Sequence, residues 1–551
     1  MRNRLWIIDS PLKSTSNDIF FGPWCFENPK DYNLVEISEH LSLNDIRSLE
    51  NHANDIIEYL LDFFLLNLKP NNSKKFSKKY LKIILNPWIN AFVHLIILRI
   101  DTLKNIIKNH QNKEFDVVLM KDDISWEFED TLDFIRNGSM NKIFNFWIIS
   151  RIIEKLKPDN WNIAYISKKN NYNKIERDLS FKEKIYNYLI ELIPFYSVKG
   201  LGLKNSIFLQ CKLYFMKNKN FSVENFAKKE SQFEPNSEFD WEIYAKKLLP
   251  NCFKKINLRN KSRKENGYII CCGSNMYYNE KLKQKIAEKV ELGNSLILSQ
   301  HGGVYGSVAV HAAVNSVEYS NSVKYISWGW KKNSYTDNVV PLPSPYLSKF
   351  NFSNQNNNII FIESNVNPYS FRINSINLSS ENVDRQNNLF RIYNSLDKKL
   401  KKHFKYRPPL SQSGGGALSL EFQRKFKEKI DIISGDLHIE TMKSKIILID
   451  GPGTTMNILF SAKVPTIAFW NYDCNFFDEN ILEIIEELKE HGVIQNSAKN
   501  AVKKLNEIYD SIELWWNDSN LQMSLEKFNK NYALRDSNFF KQWSNFVSNL
   551  D

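Results

Sequence analysis

The chain has 551 residues, 42% hydrophobic and 13% aromatic, enough apolar material for more than one core, which excludes a disordered chain. Its formal net charge is +12, which suits phosphates, nucleotides or an anionic membrane surface, but the basic residues are scattered, mostly lysines, with no arginine-rich block or aromatic–basic motif, so nucleic acid is not expected as a partner. None of the six cysteines sits in a CxxC pair, which argues against a zinc site or a disulfide framework and fits a reducing cytoplasm.

The N-terminus, "MRNRLWIIDSPLKSTSND", has only a short apolar patch and does not read as a signal peptide. "RLWIID" (4–9) reads as a buried strand, followed by a helical pattern over 43–68. "NPWINAFVHLIILRIDTLKNII" (86–107) predicts a helix opened by Asn-Pro; its apolar run is too short to span a bilayer and contains His94. "FDVVLM" (115–120) and "NIAYIS" (162–167) are strand-like around a helical 141–156. "GLGLKNS" (200–206) lacks dinucleotide-fingerprint spacing and opens no clear helix.

A polar connector (254–267) leads to "YIICCG" (268–273), a helix near 279–291, "SLILSQ" (295–300) and "KYISWGW" (324–330). "NFSNQNNN" (351–358), poor in apolar residues, marks the best domain boundary. A second series follows: "IIFIES" (359–364), a helix over 388–403, "FKYRPP" (404–409), "SKIILID" (444–450), a helix over 454–462 and "PTIAFW" (465–470). "SQSGGGALS" (411–419) reads as a flexible flap, and His438 and Glu440 as surface residues. Residues 477–551 are helical and Trp-rich. Alternating strands and helices predict parallel sheets. The expected fold is α/β, with two Rossmann-like domains facing a cleft and a C-terminal helical tail: 1–350 on the acceptor side, 351–475 for a nucleotide-sugar, and 476–551 as the tail.

Three motifs can carry chemistry. In "IILIDGPGTTMNILFSAKVPTIAFW" (446–470) a strand ends at Asp450, Gly451-Pro452-Gly453 turn, and Thr454 and Thr455 open a helix whose free N–H groups suit a phosphate. The plain alternative is that Thr454 only caps the helix. In "FKYRPP", Arg407 ends a strand expected to neighbour the Thr-Thr turn, where a guanidinium grips phosphate. In "QHGGVYG" (300–306), His301 suits a general base, a donor-phosphate contact or a buried histidine bonded to backbone, with Gly302, Gly303 and Tyr305 lining the pocket. Trp88, Trp328 and Trp330 read as core.

These residues, with "FGPWCF" (21–26), "NPWINAF" (86–92), "ISWGW" (326–330), "YRPP" (406–409) and "VKKLNEIYDSIELWW" (502–516), resemble the bacterial surface-carbohydrate transferases of O-antigen and capsule gene clusters, nearly end to end. More distantly the chain is similar to two-domain transferases that use CMP-activated sialic acid or Kdo. There a His-Pro strand end and a Ser-Ser or Ser-Thr helix start bind the CMP phosphate. Arg407-Pro408 and Thr454-Thr455 stand in what look like those places, with Arg replacing an acid-capable His. Asn457 stands about where many such enzymes have a Glu that grips a ribose or sugar hydroxyl.

The resemblance implies a metal-independent glycosyltransferase of the GT-B type with no bound cofactor. Its co-substrate would be a nucleotide-sugar, CMP-linked by the distant similarity, and its acceptor a glycan or lipid-linked glycan. It would be cytoplasmic, touching the inner face of the cytoplasmic membrane. The alternatives are transfer of a non-sugar group on the same scaffold, and a non-catalytic glycan-assembly protein.

Overall fold

The computed structural model describes residues 3–8, 18–25, 41–68, 76–167, 180–214, 238–254, 267–364, 369–376, 388–409, 430–433 and 435–550, with 256, 265 and 385. The expected flap at 411–419 lies outside them. The fold is α/β, and its strands form three wholly parallel sheets.

The first sheet has β1 (Asn3–Trp6), β2 (Asp18–Phe20), β3 (Phe115–Met120) and β4 (Asn162–Ile166) in the order β2-β1-β3-β4. Helices α1 (Leu43–Asn67), α2 (Lys78–Asn109) and α3 (Lys142–Leu156) belong to this part of the chain. Ser42 starts α1 by accepting from the Asp45 N–H, while the Asp45 carboxylate accepts from the Ser42 N–H.

Helix α2 does not begin at Asn86-Pro87 as the sequence suggests. It begins at Lys78, capped by Ser77, and Pro87 sits inside it. An interior proline costs about 3 kcal/mol. Tertiary packing outweighs that cost: Trp88, Phe92 and Leu95 are fully buried, and the Asn86 amide donates to Ser316 O at 2.8 Å. The helix is long and apolar enough to cross a membrane, yet 94% of its most apolar stretch is buried within the protein. Continuous apolar sequence here reflects burial on all sides.

The second sheet has β5 (Tyr268–Cys272), β6 (Ser295–Ser299), β7 (Lys324–Ser327) and β8 (Val339–Pro341), in chain order. Helix α4 (Glu280–Glu291) links β5 to β6, and α5 (Ala312–Val317) lies between β6 and β7. The third sheet has β9 (Ile359–Ile362), β10 (Phe404–Arg407), β11 (Asp431–Ile432), β12 (Ile446–Ile449), β13 (Thr466–Phe469) and β14 (Ile494–Gln495). Its order, β11-β10-β9-β12-β13-β14, reverses winding direction between β9 and β12. Open parallel sheets bind ligands beyond the strand C-termini at such a reversal. Strands such as "SLILS" and "IILI" are buried at every residue, as sheets covered on both faces require.

Three further local expectations differ from the structure. The stretch 477–551, expected to be a helical tail, contains β14, which pairs with β13, so the third sheet runs past the expected boundary at 475. "GLGLKNS" does run into a helix, Leu203–Tyr214. The helix expected over 388–403 ends at Ser395 and resumes only as one turn, Lys401–His403.

Helix α6 (Thr454–Ser461) follows β12. In the tail, α7 (Ser519–Tyr532) lies on α6, with the Asn529 amide donating to Phe460 O at 3.0 Å. The chain then crosses to the second sheet. Leu534 N–H donates to Trp328 O at 2.9 Å, and Ser344 N–H to Leu534 O at 2.8 Å. Helix α8 (Phe539–Ser548) buries Trp543 and Val547 against Ile270, Ile297 and Ile326. A second tie joins residues 308–311, 373–376 and 476–478: Val308 bridges Phe477, His311 bridges Asn374, and Ser375 N–H donates to Val310 O at 3.0 Å.

Trp543 is 2% exposed and its indole N–H donates to Pro343 O at 2.9 Å. Trp543→Ala should therefore lose about 3–5 kcal/mol of stability. Equilibrium urea unfolding measures this; an unchanged midpoint would show that the crossing helix holds nothing together.

Candidate functional site

The turn after β6 is held rigidly from behind. Gln300 Nε2 donates to Gly302 O at 2.8 Å. Its Oε1 accepts from Trp328 N–H at 2.8 Å and from the Trp330 indole at 2.9 Å. Trp328 and Trp330 are buried, as expected for core residues. Gly306 has φ of 72°, and a Cβ there would lie 2.3 Å from Trp330. Val304 adopts φ of 64°, a left-handed conformation that costs a β-branched residue about 1–2 kcal/mol. Strain of this kind persists where surrounding structure enforces it.

This turn rests on the start of α6. Gly303 N–H donates to Thr454 Oγ1 at 2.9 Å. A Cβ on Gly303 would stand 2.4 Å from Asn457 Oδ1 and 2.5 Å from the Gly453 carbonyl carbon. So Gly302 and Gly303 meet Gly453, Thr454 and Asn457 across two sheets. Gly453 caps α6 without a side-chain hydrogen bond, and Thr455 is half-buried with no side-chain hydrogen bond among the described residues. Asn457 is partly committed: its Nδ2 donates to Tyr532 O at 2.8 Å.

His301 faces a buried acid through a tyrosine. The Tyr305 hydroxyl lies 2.8 Å from His301 Nε2 and 3.2 Å from Glu318 Oε1. Glu318 also accepts from Tyr277 and Tyr325 hydroxyls, each at 3.0 Å. Burial pushes the Glu318 carboxyl up to about 7 against the pull of these donors. Burial, then the neighbouring His311 and Arg372, pushes His301 down to about 3, so it is a neutral imidazole at pH 7. A neutral ring has one nitrogen free to accept a proton.

Asp450 ends β12, but its side chain turns to β9. Its Oδ1 accepts from Ser364 N–H at 2.6 Å, its Oδ2 has no partner, and its backbone oxygen accepts from Arg385. Beside it Glu363 accepts from the Tyr406 hydroxyl. Burial raises both carboxyls, Asp450 to about 6 and Glu363 to about 7, the second also through Asp450's charge. They stand where the third sheet reverses its winding. Arg407 is not on the strand beside the Thr-Thr turn: β9 lies between β10 and β12, because the winding reversal inserts it there. Arg407 Nη1 donates to Ile433 O at 2.7 Å.

The family model for LIC12162 family transferases matches residues 7–547. The chain belongs to that family. It is therefore a transferase. A search of curated proteins finds no match.

Several residues around this junction were not found by sequence reasoning. Glu318, Tyr277 and Tyr325 carry no local spacing signal. Glu363 and Arg385 lie beside the right strands without a motif. His94 and His311 did carry a signal: each is a titratable residue within an apolar run, "AFVHLII" and "VAVHAAV". His438, expected at the surface, is half-buried and lies 3.1 Å from the Tyr346 hydroxyl.

Gly303→Ala should cost about 1–3 kcal/mol by overpacking and open the Gly303–Thr454 contact; chemical denaturation of the variant checks it. Glu318 predicts a pH effect. Its folded pKa lies above the ordinary 4.5, so its contribution to stability is full below 4.5 and lost as pH rises through about 7. The stability difference between wild type and Glu318→Gln should fall by about 3 kcal/mol over that window. Urea titrations on both sides of it, giving a constant difference, would contradict this reading.

Proposed function

We propose that this transferase is a glycosyltransferase of the GT-B kind. It moves a sugar from a nucleotide-sugar, of the CMP-linked type by its distant resemblance, to a cell-surface polysaccharide or lipid-linked glycan. One observation carries the reading. The turn at the C-terminal end of β6 packs on the turn at the C-terminal end of β12, through Gly303 and Thr454. Strand C-termini of two parallel sheets then face one another, and it is beyond strand C-termini that such sheets take ligands.

The donor phosphate would sit at the start of α6. Its first N–H groups have no side-chain cap, and the Thr455 hydroxyl lies beside them. There the helix dipole and donors stabilise charge on the leaving phosphate without a metal. Arg407, one strand further off, would reach the nucleotide rather than the helix start. Asp450 and Glu363, at the winding reversal, would border the nucleoside.

The acceptor would approach from the His301 side. A neutral imidazole accepts the acceptor hydroxyl's proton, and the Tyr305 hydroxyl steadies the ring. The Glu318 carboxyl behind it favours the imidazolium that forms, to the extent that it is ionised. The net charge of +12 fits an enzyme working at the inner face of an anionic membrane, on a lipid-linked acceptor.

The test is a thermal-shift panel of CMP, UDP, GDP, ADP and dTDP. A ligand at a hundred times its Kd stabilises the folded state by about 2.7 kcal/mol. One nucleotide should raise the melting temperature of wild type, and that rise should vanish in Thr455→Ala and shrink in Arg407→Ala. A rise preserved in Thr455→Ala would remove the donor phosphate from α6. No rise with any nucleotide would favour a non-nucleotide donor or an assembly role.

A further inference from the structure

Beside His301 three separate parts of the chain send basic side chains to one buried spot. Helix α2 contributes His94, the segment before α5 contributes His311, and the segment after β9 contributes Arg372. The antiparallel bridge of His311 to Asn374 joins the last two segments. The His311 ring packs on Tyr305 at 5.5 Å, and Tyr305 on His301 at 5.0 Å. Arg372 lies over the Tyr277 ring at 5.6 Å and donates to the Tyr278 hydroxyl at 2.6 Å.

The polar atoms here are left unmatched. His94 is fully buried, and neither of its ring nitrogens has a partner. The Nδ1 of His311 and the Oδ1 of Asn374 are also buried without one. Buried polar atoms without partners are costly, and native proteins rarely keep several together. Among the described residues Arg372 forms no ion pair. Glu318 is the acid nearby, and its carboxyl is occupied by the hydroxyls of Tyr277, Tyr305 and Tyr325. Burial, then Arg372, holds both His94 and His311 down to about 3. Among the three side chains Arg372 carries the permanent positive charge, and Lys199 adds a second near His301. His301, His311, Arg372 and Tyr278 remain partly exposed, while His94 is fully buried.

We infer that His94, His311 and Arg372, with His301 at the rim, form a binding pocket for an oxyanion of the substrate, a phosphate or a sugar carboxylate. A guanidinium and imidazole N–H groups are the donors that such a group needs. Each neutral imidazole carries one N–H, and a bound oxyanion would supply the acceptor for it. None of its three inner residues belongs to the third sheet's strands or to α6. It does not depend on the transferred group being a sugar.

The test is isothermal titration calorimetry on the full chain near pH 7 with inorganic phosphate, with glucuronate, and with glucose as the neutral control. The variants are Arg372→Gln, Arg372→Lys, His94→Leu and Thr455→Ala. One anion should still bind at one site in Thr455→Ala, which removes the donor-phosphate site at α6, and glucose should not. In that background affinity should fall at least tenfold on adding Arg372→Gln or His94→Leu, and less on adding Arg372→Lys. Preference for phosphate or glucuronate names the group. Circular dichroism confirms the fold of each variant, and Arg372→Lys, which keeps the charge, serves if Arg372→Gln does not fold. Two results overturn the pocket: no saturable binding of either anion, or binding kept in the Arg372 and His94 variants. Phosphate binding lost only in Thr455→Ala would overturn the pocket and leave the donor site at α6 standing.

Discussion

The structure turns on a place where no side chain fits. Gly303 lies so close to Gly453 and Asn457 that one methyl group would clash with backbone. Two sheets are thereby brought turn to turn, and the hydrogen bond from Gly303 to Thr454 sets their register. Everything near it reinforces that approach. Gln300 and the two tryptophans stiffen the turn from behind. The tie through residues 310, 375 and 476 stitches the loops of both sheets, and the tail returns to cover the second sheet. A contact this tight tolerates little relative motion at its own position, because packed interiors answer displacement with lost contacts rather than smooth give.

Burial around this junction has an electrostatic consequence. Glu318, Glu363 and Asp450 are pushed towards the neutral acid, and His94, His301 and His311 towards the neutral base. All six shifts have desolvation as their first cause. Two permanent charges act on the His301 side, the guanidinium of Arg372 and the ammonium of Lys199. A buried region of this kind responds strongly to a charged ligand, because there is little water to screen it. Shifts of this size gathered in a cleft are also a mark of functional sites.

Much of the architecture was legible in the sequence. Continuous apolar runs such as "SLILS" and "IILI", each followed by glycine or a polar turn, could only be covered parallel strands. Their turns proved to be the parts that meet. What was not legible has a common cause: it depends on order in space rather than order in sequence. Arg407 looked adjacent to the Thr-Thr turn because β10 and β12 are successive long strands, and the winding reversal that places β9 between them leaves no local trace. Pro87 looked like a helix start because proline rules are local, while the burial that overrides them comes from α1, α4 and α5. Glu318 was invisible because its meaning lies in three tyrosines 7, 13 and 41 residues away.

Local rules are broken most densely at this junction. Val304 is left-handed, His94 keeps two buried unpaired nitrogens, and Asp450 keeps an unpaired carboxylate oxygen. Each costs stability, and each would be relieved by a common substitution: glycine at 304, leucine at 94, asparagine with a new partner at 450. A chain selected for stability alone would hold none of them. Their coincidence at the meeting of two strand-end turns, in a member of a transferase family, fits strain that is retained because the turns must present particular atoms to a substrate. The aromatic cluster of Trp88, Phe92 and Phe134 packs ring on ring, and its one broken rule, the unpartnered Trp88 indole N–H, is the local cost of filling a core with large rings.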